Sequence, residues 1–175
     1  DDFARGAYRE AAAYSHARAR GSNDAAQWRD ALAGYEVYFK HWPGADDAPR
    51  LHLLASDAAS HLDNYPLALR HLGATMTSDS LTLVHDAAWQ RVAVTDAWYR
   101  RSQPAGAKTG SDSLATLVLK TGDEFTARFS RDPRCADIAW RQGNVALAHG
   151  RYDDAAARLE RFGAAHPADR RALPA

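Results

Sequence analysis

From Trp28 to Trp42 the large apolar residues return at steps of three and four: Trp28, Leu32, Tyr35, Phe39 and Trp42. A strand would need a step of two, so this spacing predicts a helix carrying one broad apolar stripe. Pro43-Gly44 stops it, because the residue before a proline is pushed away from helical geometry. Ser22-Asn23-Asp24 supplies N-cap oxygens at its start. A helix of this kind must bury its stripe against other helices, and the remaining chain supplies them. Phe3, Ala7, Tyr14 and Ala17 can share a face of a first helix over about 2–20, ended by Gly21. Helical patterns continue over about 46–62, 66–76, 79–102, 113–131, 134–149 and 153–166, with Pro66 acceptable in a first turn. Breaks fall at Asp63-Asn64, Asp132-Pro133 and Gly150-Arg151. Gln103 to Asp112, QPAGAKTGSD, reads as a flexible loop. No segment reads as a strand, so the fold class is all-α.

Alternating helices with short connections call for a repeat test. Three helix ends compare: YEVYFKHWP (Tyr35 to Pro43), FTARFSRDP (Phe125 to Pro133) and LERFGAAHP (Leu159 to Pro167). The last two prolines stand 34 residues apart. Setting the prolines in register matches Trp42 with Asp132 and His166. Tyr65 followed by Ala68 is echoed by Tyr152 followed by Ala155. These features resemble the tetratricopeptide repeat family, in the divergent form found in bacterial envelope proteins. Matched residue by residue, Gly143, Ala146, Tyr152, Ala155, Leu159, Phe162 and Pro167 fit the last unit. Ser56, Ala59, Tyr65, Ala68 and Leu72 fit the second, and Ala31, Tyr35, Tyr38 and Pro43 the first. The third unit is stretched around the 103–112 loop. The resemblance implies a right-handed α-α superhelix, a solenoid of about four helix hairpins in a single domain over 1–175. The hairpins are expected at about 2–43, 46–77, 79–132 and 134–167, with the start of a further helix over 168–175. Stacked hairpins bury a core that none could bury alone. Loss of Tyr35 or Phe129 is therefore expected to unfold the stack.

Acidic and basic residues balance at 22 each. That excludes the basic excess typical of nucleic-acid and membrane-surface binding. No apolar run reaches the ~20 residues of a membrane helix. The start Asp1-Asp2, without Met or an apolar leader, reads as a processed or excised piece. One cysteine, Cys135, allows no internal disulfide. Beyond Pro133-Arg134 it opens a helix, whose N-terminus could lower a thiol pKa, but the expected reading is a packed or idle cysteine. Among eight histidines no His-Glu-x-x-His occurs, although His52, His61 and His71 are candidates to converge. Ser15-His16, Ser60-His61 and His85-Asp86 are adjacent in sequence, and such neighbours leave a helix in different directions. There is no Gly-x-Ser-x-Gly and no phosphate-binding Gly-Lys-Ser/Thr ending around Lys108. Neither catalysis, a metal nor a cofactor is expected.

The resemblance instead implies a concave face, lined by the first helix of each hairpin, that receives a peptide or partner helix. Carried onto this chain, it takes Arg50, Leu53, Asp57, Ser60 and His61 from the second unit. From the last unit it takes Asp137, Trp140, Asn144 and Leu147. An exposed Trp140 with arginine nearby would make a binding hot spot, and Trp89, Arg91 and Trp98 raise the same question. The expected function is a non-catalytic protein-interaction scaffold within a larger assembly, periplasmic or membrane-associated rather than cytoplasmic. The alternatives are an accessory region of a multidomain enzyme, or a peripheral subunit capping a membrane complex.

Overall fold

A computed structural model describes residues 2–103 and 111–172. Those residues are all-α, with helices α1 (Asp2–Ser22), α2 (Ala25–His41), α3 (Ala48–His61), α4 (Tyr65–Thr75), α5 (Leu81–Arg101), α6 (Asp112–Arg128), α7 (Cys135–Ala148) and α8 (Tyr152–Ala165). The loop expected around Gly106 and Gly110, and Leu173-Pro174 of the expected further helix, lie outside the described residues. The chain divides into two compact units, Asp1–Val94 and Thr95–Ala175.

In the first unit α1 packs closely on α2, α2 on α3, and α3 on α4; in the second, α6 packs on α7 and α7 on α8. The turns within hairpins share one device. Asn23, Asp63 and Gly150 take positive φ of 53°, 55° and 69°. After α3, Asn64 N–H reaches back to Ala59 (2.9 Å) and Asp63 N–H to Ser60 (3.1 Å). After α7, Arg151 N–H reaches Ala146 (3.0 Å) and Gly150 N–H reaches Leu147 (3.1 Å). This is the Schellman pattern, which needs a left-handed residue after the helix.

The turns after α2, α6 and α8 share another, whereas the turn after α4, capped by Met76 at φ/ψ −64°/−13°, does not. Trp42, Phe129 and His166 end α2, α6 and α8 with nearly equal dihedrals: φ/ψ −133°/58°, −126°/49° and −132°/57°. Ala45, Asp132 and Asp169 then bond back to those three residues, and Ala48, Cys135 and Ala172 bond to Ala45, Asp132 and Asp169. The true register is therefore Trp42–Phe129–His166. The proline alignment holds for Pro43 and Pro167, but Pro133 lies three residues further on. A proline tolerates any turn position with φ near −65° and no N–H to donate, so it is a loose ruler.

The aromatic stripe of α2 is inside as expected: Trp28 and Tyr35 are buried, and Leu32, Phe39 and Trp42 are partly so. Trp42 packs against Tyr8 and Tyr38 (ring centroids 5.6 and 5.3 Å). Ala31, Tyr38, Ser56, Ala59, Tyr65, Ala68, Leu72, Ala146, Ala155 and Phe162 are also buried. Three expectations fail. On α1 the buried residues are Ala12, His16 and Ala19, while Phe3 (85% exposed) and Tyr14 (65%) point outward with Ala7 and Ala17. The reason is close approach: a Cβ on Gly34 of α2 would stand 2.9 Å from Ala12 Cβ. No bulky side chain fits opposite Gly34, and the one ring α1 buries, His16, sits a turn further on against Trp28 and Tyr35. On α8, Tyr152, matched to the last repeat unit, is exposed (69%), whereas Ala155 and Phe162 are buried. In α6 the buried ring is Phe125, with Phe129 only partly covered.

Candidate partner-binding face and the polar clusters behind it

Side chains link helices two apart, odd to odd and even to even, within each unit. On the odd side of the first unit, His16 of α1 stands 3.2 Å from Asp57 of α3, and Ser56 Oγ donates to Gln90 Oε1 of α5 (3.0 Å). On its even side, His71 Nε2 of α4 lies 3.0 Å from Glu36 of α2. In the second unit, Arg141 Nε of α7 donates to Asp96 of α5 (2.6 Å). Arg158 of α8 makes a two-pronged pair with Asp123 of α6 (2.6 and 2.9 Å).

The nine residues expected on the concave face all retain accessible surface. On α3, Arg50 and His61 are exposed, and Leu53, Asp57 and Ser60 are half-buried. His61 lies flat on Trp28 (4.0 Å between rings, 6° between planes). The Asp57 carboxylate sits between His16 Nε2 and His61 Nε2 (3.2 and 3.7 Å). His16 first, then the positive character of His61 and Arg20, holds this carboxyl below its ordinary value against the opposing effect of burial. The His16 contact is short but off the hydrogen-bond axis, so His16 and the buried Tyr35 hydroxyl lack aligned partners. Burial, and then Asp57, pushes the Tyr35 hydroxyl well above its usual range, which keeps it protonated.

On α7, Asp137 and Leu147 are exposed and Trp140 and Asn144 half-buried. Asn144 turns its amide back to Trp140 O (2.8 Å). Asp137 pairs with Arg171 (2.8 Å), whose guanidinium lies over the Trp140 and Phe162 rings (5.9 and 5.3 Å). Trp140 and Asp137 thus meet the segment after α8, and Leu147 is the open apolar residue of this face. Trp89, Arg91 and Trp98 on α5 are half-buried.

Arg171 belongs to a clasp that occurs twice. Arg134 grips Asp132 through Nε and Nη2 (2.8 and 2.6 Å) and lies over Phe125 (5.5 Å). Arg171 grips Asp169 in the same way (2.9 and 2.7 Å) over Phe162. Each member stands 37 residues from its counterpart. At the first joint the chemistry changes: the Tyr38 hydroxyl donates to Asp47, which also pairs with Arg9. Burial, with Asp47, pushes that hydroxyl up to about 12.

Of the three histidines considered together, the fold joins His52 and His71 and sends His61 to the Asp57 cluster. Among the described residues no group of three or more His, Cys, Asp or Glu stands in metal-holding geometry. No described helix is long and apolar enough to cross a membrane. Cys135 donates its thiol to Phe129 O (3.3 Å). Burial, then Asp132, raises its pKa rather than lowering it, so the helix start does not activate this thiol. A cavity of about 300 Å³ lies between α6, α7 and α8, with Phe162 and Ala139 as apolar wall and Asp123, Gln142 and Arg158 as polar wall. Its arginine is already satisfied by Asp123 and Asp154. Sequence reading found neither this cavity nor the chain Asp112–His149–Tyr99. There His149 bonds Asp112 through Nδ1 and Tyr99 through Nε2 (2.9 Å), tying α5, α6 and α7 together. These partners are 35 to 50 residues apart, so no local spacing announces them. No family model matches the chain, and no curated protein matches it either.

Proposed function

We propose that this chain is a non-catalytic protein–protein interaction scaffold of the tetratricopeptide type, serving a larger bacterial cell-envelope assembly. The observation that carries this reading is the layering: besides bonds between neighbouring helices, side chains tie odd helices to odd ones and even helices to even ones within each unit. Repeated Schellman turns within hairpins and one repeated turn between them support a right-handed hairpin stack. The odd-helix side then offers Arg50, Leu53, Asp57, Ser60 and His61, and separately Asp137, Trp140, Asn144 and Leu147, to a peptide or partner helix. Asp57 and Asp137 on this face are engaged by His16 and Arg171, contacts that tie one segment to another, which favours a binding surface over a reaction centre.

The test is a crosslinking pull-down from the native organism with wild type, Arg50→Ala, Leu147→Ala and Lys120→Ala. Arg50 and Leu147 are exposed on odd helices, and Lys120 is exposed on α6. The first two variants are expected to lose the same partner that wild type and Lys120→Ala retain. Unchanged partners in Arg50→Ala and Leu147→Ala sink the assignment of this face.

A further inference from the structure

Where the first two hairpins meet on the even side, two imidazoles face each other. His52 Nδ1 of α3 lies 3.0 Å from His71 Nδ1 of α4. His71 is buried, and His52 is half-buried under the Phe39 ring of α2 (centroids 3.7 Å, 17° between planes). Two charged side chains face the pair. Glu36 of α2 lies 3.0 Å from His71 Nε2, and Arg70 of α4 lies 3.8 Å from Glu36. Only one proton can occupy the space between the two Nδ1 atoms. The neutral arrangement that fits these distances puts a hydrogen on His71 Nε2, beside Glu36 but off the hydrogen-bond axis, and one on His52 Nδ1 toward His71. A first extra proton is accommodated if His52 changes tautomer and accepts from His71. A second sets two N–H groups head to head and two positive charges side by side.

On the odd side of the same joint His16 faces a carboxylate, that of Asp57 (3.2 Å), instead of a second imidazole.

We infer that the contact between the first two hairpins is an acid-sensitive joint: when His52 and His71 are both protonated, α4 parts from α2 while the α1–α3 contact holds. Burial lowers both imidazoles from 6.5 to about 4, joined by the His71 charge for His52 and by the Arg70 charge for His71, with Glu36 opposing for His52. The sign follows. A group whose pKa is depressed in the closed state binds protons more readily when the joint is open. Closure is therefore intact above the ordinary histidine value and weakens as pH falls from 6.5 toward 4. At pH 5 the opening constant rises by roughly 10- to 30-fold for each histidine released.

Hydrogen exchange between pH 7 and pH 5, corrected for intrinsic rates, reads that constant helix by helix. In wild type, protection is expected to fall in α4 and the second half of α2 and to persist in α1. His52→Gln should flatten the dependence. Two surface variants carry the electrostatic sign. Glu36→Gln removes the charge that favours protonated His52 and should make acid opening larger. Arg70→Gln removes a repelling charge and should make it smaller. Loss of protection spread evenly over residues 2–94 overturns the inference, as do Glu36→Gln and Arg70→Gln shifts in the same direction or no shift in either.

Discussion

Replacing Gly34 by alanine adds one methyl group in the middle of α2, and the same change at Gly73 adds one to α4. On an isolated helix each would stabilise by about 0.8–1.0 kcal/mol. The surroundings split the two. Nothing lies within 4 Å of a Cβ on Gly73, whereas a Cβ on Gly34 meets Ala12 Cβ at 2.9 Å and Ala12 Cα at 3.2 Å. Ala12 is only 1% exposed and the contact is to its backbone as well as its methyl, so no side-chain rotation relieves it. Carbon contacts rest near 3.5–4.0 Å, so α1 and α2 must part by most of an ångström. Overpacking of that kind costs typically 1–3 kcal/mol. Gly34→Ala is therefore expected to lose about 1–2 kcal/mol net, and Gly73→Ala to gain about 0.5–1 kcal/mol. In urea, with a slope of about 2 kcal/mol/M, the two midpoints should separate by roughly 1 M. Because the chain has two compact units, the shift belongs to the transition of residues 1–94. A double variant with Ala12→Gly should recover part of the loss, because it removes the nearer atom. If Gly34→Ala is as stable as Gly73→Ala, the close seam between α1 and α2 is not what fixes their pairing.

Three further outcomes follow from the buried groups. Phe125→Ala is expected to cost about 3–5 kcal/mol in chemical denaturation and Phe129→Ala clearly less, since only Phe125 is fully enclosed; equal losses refute the corrected register. Burial alone would raise the Asp123 carboxyl, but hydrogen bonds from Arg158 and Gln142 outweigh it and hold the carboxyl below its ordinary value. Its stabilising effect is present above the unfolded value near 3.8 and is lost as pH falls through the lower folded value. Asp123→Asn should thus flatten the acid limb of stability below about pH 4, measured by urea titration at each pH. Cys135, with a raised thiol pKa and a bond to Phe129 O, should be alkylated at neutral pH more slowly than a free cysteine. A faster rate refutes the account of its surroundings.

The helices were legible because their signals are local. Asp24 caps α2 with its side chain on Ala26 N (2.9 Å), Asp63 and Gly150 end their helices, and Pro66 sits in the first turn of α4. The inward face of α1 was not legible, since hydrophobicity ranks Phe3 and Tyr14 above Ala12 and His16. The seam selects for small size, and size is a property of the pair Ala12–Gly34 rather than of either helix. The same limit hid the partners of His16, His71, His149 and Arg158, each of which lies on another helix. On the candidate face, the repeat resemblance supplied the nine residues, but neither the half-burial of Trp140 nor the seat of Arg171 on Asp137 and Trp140 could be read from the sequence.

The joints between hairpins show why residue patterns underreport this architecture. One backbone turn is built three times with matching cap dihedrals and the same hydrogen bonds. Two copies lock it with an aspartate, an arginine two residues on, and a phenylalanine beneath. The third reverses the roles: Ala45 and Asp47 take the aspartate and arginine places, Tyr38 replaces the phenylalanine, and the cation arrives from Arg9 on another helix. The requirement at a joint is a charge-assisted tie from the turn to the preceding aromatic layer, and two chemistries satisfy it. An alignment keyed to residue type must miss the first joint, and one keyed to proline misplaces the second. Backbone caps and the 37-residue spacing of Phe125–Phe162, Asp132–Asp169 and Arg134–Arg171 recover both.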